Sequence, residues 1–104
     1  MKYGLTEKDI EAINKVFATV PRINKVILYG SRAKGNYWPG SDIDLTIEGN
    51  GIELSDLFDL EIKLDDILLP YKIDLSIKDH IANQKLLEHI DRVGKVFYKK
   101  GNNE

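Results

Sequence analysis

The sequence predicts an α+β fold: a small mixed β-sheet packed with helices, with a functional site at one edge of the sheet. Three observations predict it. Short runs rich in β-branched and aromatic residues, 26–29, 42–47 and 72–77, are set between longer segments of helical periodicity. The second and third runs are joined by one such segment, 55–68, which fits a crossover between parallel strands. A chain of 104 residues has room for one core, so 1–104 is expected to form a single domain, with 99–104 as a frayed polar tail.

Hydrophobic residues make up 42% of the chain and charged ones 31%, a balance that suits a packed domain and excludes a disordered one. The net charge of -2 argues against a large footprint on nucleic acid, because such binding relies on many neutralised phosphates. With no cysteine there is neither a disulfide framework nor a thiolate metal site. No long apolar run or signal peptide is evident, so the expected location is cytoplasmic, away from membranes.

In chain order, Thr6-Glu7-Lys8-Asp9 has the form of a capping box. Ile10, Ile13, Phe17 and Val20 follow at spacings of three and four, giving a helix that stops near Val20, before Pro21. Val26-Ile27-Leu28-Tyr29 reads as a buried strand ended by Gly30. Ser31 is placed as the N-cap of a short turn, Arg32-Ala33-Lys34, so that backbone N–H groups near Ser31 and Arg32 favour an anion. Gly35 and Asn36 close the turn, and Pro39-Gly40 returns the chain to strand.

In the second strand, alternation puts Asp42, Asp44 and Thr46 on one face and Ile43, Leu45 and Ile47 on the other. After a turn at 48–51, Leu57, Leu60, Leu64, Ile67 and Leu68 define the inner side of a surface helix that Pro70 ends. The third strand repeats the alternation, with Asp74 on its polar face. Asp79 or Asn83 caps a last helix carrying Leu86, Leu87, Ile90 and Val93, terminated by Gly94; residues 95–98 add an edge strand.

The chemistry gathers around the first reversal. Asp42 and Asp44 lie side by side, and two such charges repel unless a cation lies between them; hard divalent ions take oxygen ligands. Alternate acids on a half-exposed strand can serve solvation alone, but here they follow a Gly-Ser turn. Adjacent strands lie roughly 4.8 Å apart, so Asp74 can converge with the pair. Three carboxylates facing a phosphate cradle suggest phosphoryl or nucleotidyl transfer. Arg32 and Lys34 either counter phosphate charge or are solvated loop cations. Tyr37 and Trp38 lie in the loop between the two halves, while His80 and His89 have no ligand spacing and receive no role.

Gly30-Ser31, ten intervening residues and then Asp42-x-Asp44 resembles the signature of the DNA polymerase beta-like nucleotidyltransferase superfamily. More narrowly, Gly30-Ser31-Arg32-Ala33-Lys34-Gly35 with Ser41-Asp42-Ile43-Asp44-Leu45 resembles its minimal, single-domain branch. The resemblance implies that family's palm-type fold and transfer of a nucleoside monophosphate, with ATP the expected donor, to a hydroxyl. It implies Asp42, Asp44 and Asp74 as catalytic and metal-binding residues, with two Mg2+ ions (or Mn2+), and Gly30, Ser31, Arg32 and Lys34 as nucleotide-binding residues. It also implies a partner: a small helical HEPN-type protein encoded alongside, in a hetero-oligomer in which the chain is the antitoxin and attaches AMP to a tyrosine. Two alternatives stand beside this one. A small-molecule enzyme of the aminoglycoside-modifying kind would have a second domain, and a non-catalytic binding antitoxin would have no use for the intact motif.

Overall fold

The burial pattern of the second strand decides how the layers stack: Ile43, Leu45 and Ile47 are sealed, while Asp44 between them keeps some exposure. The computed structural model describes residues 1–101. Along the chain run α1 (Glu7–Phe17), β1 (Ile23–Tyr29), α2 (Gly30–Lys34), β2 (Ile43–Gly49), α3 (Leu54–Asp66), β3 (Ile73–Ile77), a 3-10 turn (Lys78–His80), α4 (Gln84–Val93) and β4 (Lys95–Lys99). The sheet order is β3-β2-β1-β4. β1 is antiparallel to β2 and to β4, while β2 and β3, joined through α3, are parallel. The sheet is mixed and the fold α+β, as the sequence predicts.

Helices α1 and α3 cover one face. Phe17 and Ile13 from α1 and Leu60 and Leu64 from α3 pack on Val26, Leu28, Ile43, Leu45 and Ile47, a core in which each fully buried side chain is worth about 1.5–3 kcal/mol. Helix α4 covers part of the other face, where Ile90 seals Ile27 and Tyr29. Thr46, expected on a wet face, is therefore fully buried and accepts a hydrogen bond from Ser76 Oγ at 2.9 Å.

The capping box of α1 is present in both halves, Asp9 N–H to Thr6 Oγ1 at 3.1 Å and Thr6 N–H to Asp9 Oδ2 at 3.3 Å. The helix stops at Phe17, three residues before Val20, which a turn still carries into the core. Of the two caps considered for α4, Asn83 is the one used: its Oδ1 accepts from Leu86 N–H at 3.1 Å.

Two expectations need correcting. Leu68 is not an inner-face residue: α3 ends at Asp66, the backbone turns left-handed at Leu68 (φ 54°), and the side chain is 86% exposed. Nor does the tail begin at 99, since Lys99 belongs to β4 and Lys100 donates its N–H to Asn24 O at 2.9 Å and its Nζ to Pro21 O at 2.8 Å. The rest of the expected tail, residues 102–104, lies outside the described residues. Among those described, no helix is long and apolar enough to cross a membrane.

Candidate functional site

Strand register builds the site. Tyr29 on β1 pairs with Asp44 on β2, and Asp44 pairs with Asp74 on β3, so one row across the sheet reads Tyr29, Asp44, Asp74. The next row inward reads Ile27, Thr46, Ser76. Both rows project on the α4 side, opposite the main core. The crossover predicted from the sequence thus puts Asp44 and Asp74 at the same level of neighbouring strands. Asp42 sits one residue before β2, exposed, and its charge is still felt at Asp44.

The electrostatics follow from that crowding. Asp44 is pushed above the usual carboxylate range, first by burial, then by the charges of Asp74 and Asp42. The Tyr29 hydroxyl is raised as well, by burial foremost; a hydrogen bond with Ser76 opposes the rise, and the two carboxylates add to it. All the donors here are oxygens, which suits a hard divalent cation. Among the described residues, no three acidic, histidine or cysteine side chains close into a ready metal cage. The carboxylates form an open mouth, and a cation there would need oxygens from a ligand to fill its shell.

Gly30 turns the chain directly over this row. Its φ is 74°, and a Cβ there would overlap Asp44 Oδ2. Asp44 itself occupies the space that a side chain at Gly30 would need. Helix α2 begins at Gly30, with Tyr29 as its extended cap, so Ser31 lies in the first turn and is not the N-cap. A first turn leaves backbone N–H groups without intrahelical partners. That of Gly30 donates to His89 Nε2 at 3.1 Å, whereas those of Ser31 and Arg32 have no acceptor among the described residues. Lys34, at the exposed end of α2, has no ion-pair partner among them either.

For Arg32 the correction concerns the side chain alone, expected either to counter phosphate charge or to be solvated and in fact 1% exposed. Its Nη1 donates to Tyr3 O at 2.8 Å, its Nη2 to Pro39 O at 3.0 Å and Ser41 O at 2.9 Å, and its Nε to Ser41 O at 3.0 Å. The guanidinium lies between the rings of Tyr37 and Tyr71, at 5.2 and 4.9 Å from their centroids. A cation enclosed by three carbonyls and two rings cannot reach a phosphate. It ties the N-terminal turn, the loop before Asp42 and the segment before β3 together.

His89, given no role from sequence, is the residue that reasoning missed. Its ring stands edge-on to Tyr29 at 6.1 Å, and acceptance at Nε2 places its proton on Nδ1. The contact joins residues 59 positions apart, and no local spacing announces it.

Residues 11–103 match the family described as Polymerase beta, Nucleotidyltransferase. No curated protein sequence matches the chain. Among solved structures, a toxin–antitoxin crystallised with AMP-PNP superposes with TM-score 0.69 at 22% identity, over 95% of this chain and 77% of that one. A tri-AMPylated Shewanella oneidensis HEPN toxin in complex with MNT antitoxin gives TM-score 0.67 at 19% identity, over 95% and 76%. The toxin–antitoxin MntA-HepT gives 0.66 at 19%, over 94% and 76%. At such identities these likenesses establish the shared fold.

Proposed function

We propose, from the premise that this chain belongs to the Polymerase beta, Nucleotidyltransferase family, that it transfers AMP from ATP to a hydroxyl of a protein partner. The observation that carries the proposal is the in-register Asp44–Asp74 pair directly beneath the Gly30-Ser31 turn. A carboxylate with a raised pKa, that of Asp44, next to unfilled backbone donors suits a triphosphate and its counter-cation.

In this reading the Ser31 and Arg32 N–H groups and the Ser31 hydroxyl hold the outer phosphates, with Lys34 adding positive charge. Gly30 sets the turn, and Arg32 contributes its backbone only. Asp42, Asp44 and Asp74 would hold Mg2+, two ions or Mn2+ in their place, and the bound metal supplies Lewis-acid neutralisation of phosphate charge. Asp74, exposed on the edge strand β3, takes the proton of the attacking hydroxyl. The hydroxyl oxygen bonds to the α-phosphorus, the bond to the bridging oxygen breaks, and pyrophosphate leaves.

Single-domain organisation over 1–104 belongs to the same reading, because the acceptor is then positioned by another chain. The AMPylated HEPN toxin seen with its MNT antitoxin supports a HEPN-type helical protein as that acceptor and an antitoxin role for this chain. The test is to incubate the purified chain with ATP, magnesium and a HEPN-type protein from the same organism, then weigh the products. Each transfer adds about 329 Da, the mass of an AMP residue, to the partner and none with Asp44→Asn. A partner silenced equally by the Asp44→Asn chain, with no added mass, would replace catalysis by simple contact.

A further inference from the structure

Helix α3 carries two apolar stripes where a surface helix needs one. Leu57, Leu60 and Leu64 face the core. Leu54, Phe58 and Ile62, spaced by four, run along the opposite side and stay 53%, 57% and 62% exposed. Isolated exposed apolar residues are ordinary, but a row of three on one helix face is the kind of patch that marks an interaction site.

The surrounding charges say what covers it. Glu61 and Asp65 border the stripe on one side, and Asp66 continues its line one turn beyond Ile62. None of the three has an ion-pair partner among the described residues, whereas Asp56 is held by Arg22 at 2.6 Å and Asp59 by Lys63 at 2.9 Å. A second copy of this chain, packed through the same stripe, would set these acids against themselves. A surface of opposite charge removes that repulsion.

We infer that the Leu54–Phe58–Ile62 stripe is the docking ridge for a helix of a different protein, one whose apolar residues are bordered by lysine or arginine. Naming the HEPN-type helical protein as that partner rests on the proposed function. Because α3 packs on the face of the sheet opposite Asp44 and Asp74, a helix seated there anchors the partner without covering the carboxylates, and the acceptor hydroxyl belongs to a different segment of that partner.

The test uses the full chain and a HEPN-type protein from the same organism, with affinity measured by calorimetry and mass by light scattering. Phe58→Ser/Ile62→Ser changes exposed residues only, and thermal melts check that it folds. It should weaken the complex at least tenfold, and Glu61→Lys/Asp65→Lys/Asp66→Lys should do the same and flatten the salt dependence. Wild-type affinity in both variants overturns the docking ridge, whatever happens to AMP transfer. Self-association that Phe58→Ser/Ile62→Ser abolishes, or no complex with the wild-type chain, overturns the choice of occupant. A complex that depends on the stripe but yields no AMPylated partner supports the ridge and counts against the transfer reaction alone.

Discussion

Replacing a hydrogen of Gly30 by a methyl group tests two constraints together, because the residue sits at φ 74° and its Cβ would overlap Asp44 Oδ2. Gly30→Ala should cost about 1–3 kcal/mol of stability from backbone strain. It should also cost at least about a hundredfold in transfer rate, since the turn and the carboxylate move apart. Denaturant titration and single-turnover kinetics separate the two effects. Asp44→Asn behaves in the opposite way: transfer falls to background while the metal-free fold melts at the same temperature or higher. The folded-state pKa of Asp44 is raised, so the folded chain binds more protons than the unfolded one, and stability falls as pH rises through that window. The advantage of the asparagine is therefore full above the raised pKa and disappears as the pH drops to the ordinary carboxylate range. Melts of both proteins across that range check the sign, and an advantage that grows on acidification would refute it.

Between elements, the two decisive contacts come from Arg32 and His89. Arg32→Met removes a cation bonded to Tyr3, Pro39 and Ser41 carbonyls, and leaving these unpaired should cost about 2–4 kcal/mol. In a domain of this size that is a fall in melting temperature of at least about 8 °C, which calorimetry resolves. His89→Ala frees the Gly30 N–H and unties α4 from α2; the KM for ATP should rise several-fold with a smaller change in kcat. His89→Gln, which restores an acceptor, should recover most of the loss. The elements themselves were legible because they are local: the Thr6–Asp9 box, the alternation through Ile43, Leu45 and Ile47, and the crossover that aligned Asp44 with Asp74. The Arg32 side chain was misread because its partners are carbonyls from two separated segments and a ring from a third, which no motif displays. The bulge in β4 was equally hidden. Val26 pairs with Tyr98 and Ile27 with Val96, so Phe97 is the extra residue, and it and Tyr98 are both buried although regular alternation would expose one.

At the scale of the molecule, the open mouth of carboxylates couples metal to nucleotide. Mg2+ should bind the free protein weakly and the ATP-loaded protein much more tightly, since phosphate oxygens supply the ligands that Asp42, Asp44 and Asp74 lack. Titration calorimetry with and without a non-hydrolysable ATP analogue checks this, and tight magnesium binding that nucleotide does not improve would contradict it. The Arg32 clamp has a further consequence for that encounter. Because Pro39 and Ser41 are already held by the guanidinium, the conformational entropy of the 36–41 loop is surrendered when the chain folds and not when ATP arrives. Ligand binding then meets a pre-shaped surface, the association carries little ordering penalty, and the Trp38 and Ser41 amides, hydrogen-bonded within the loop, exchange with solvent at the same rate whether nucleotide is present or absent.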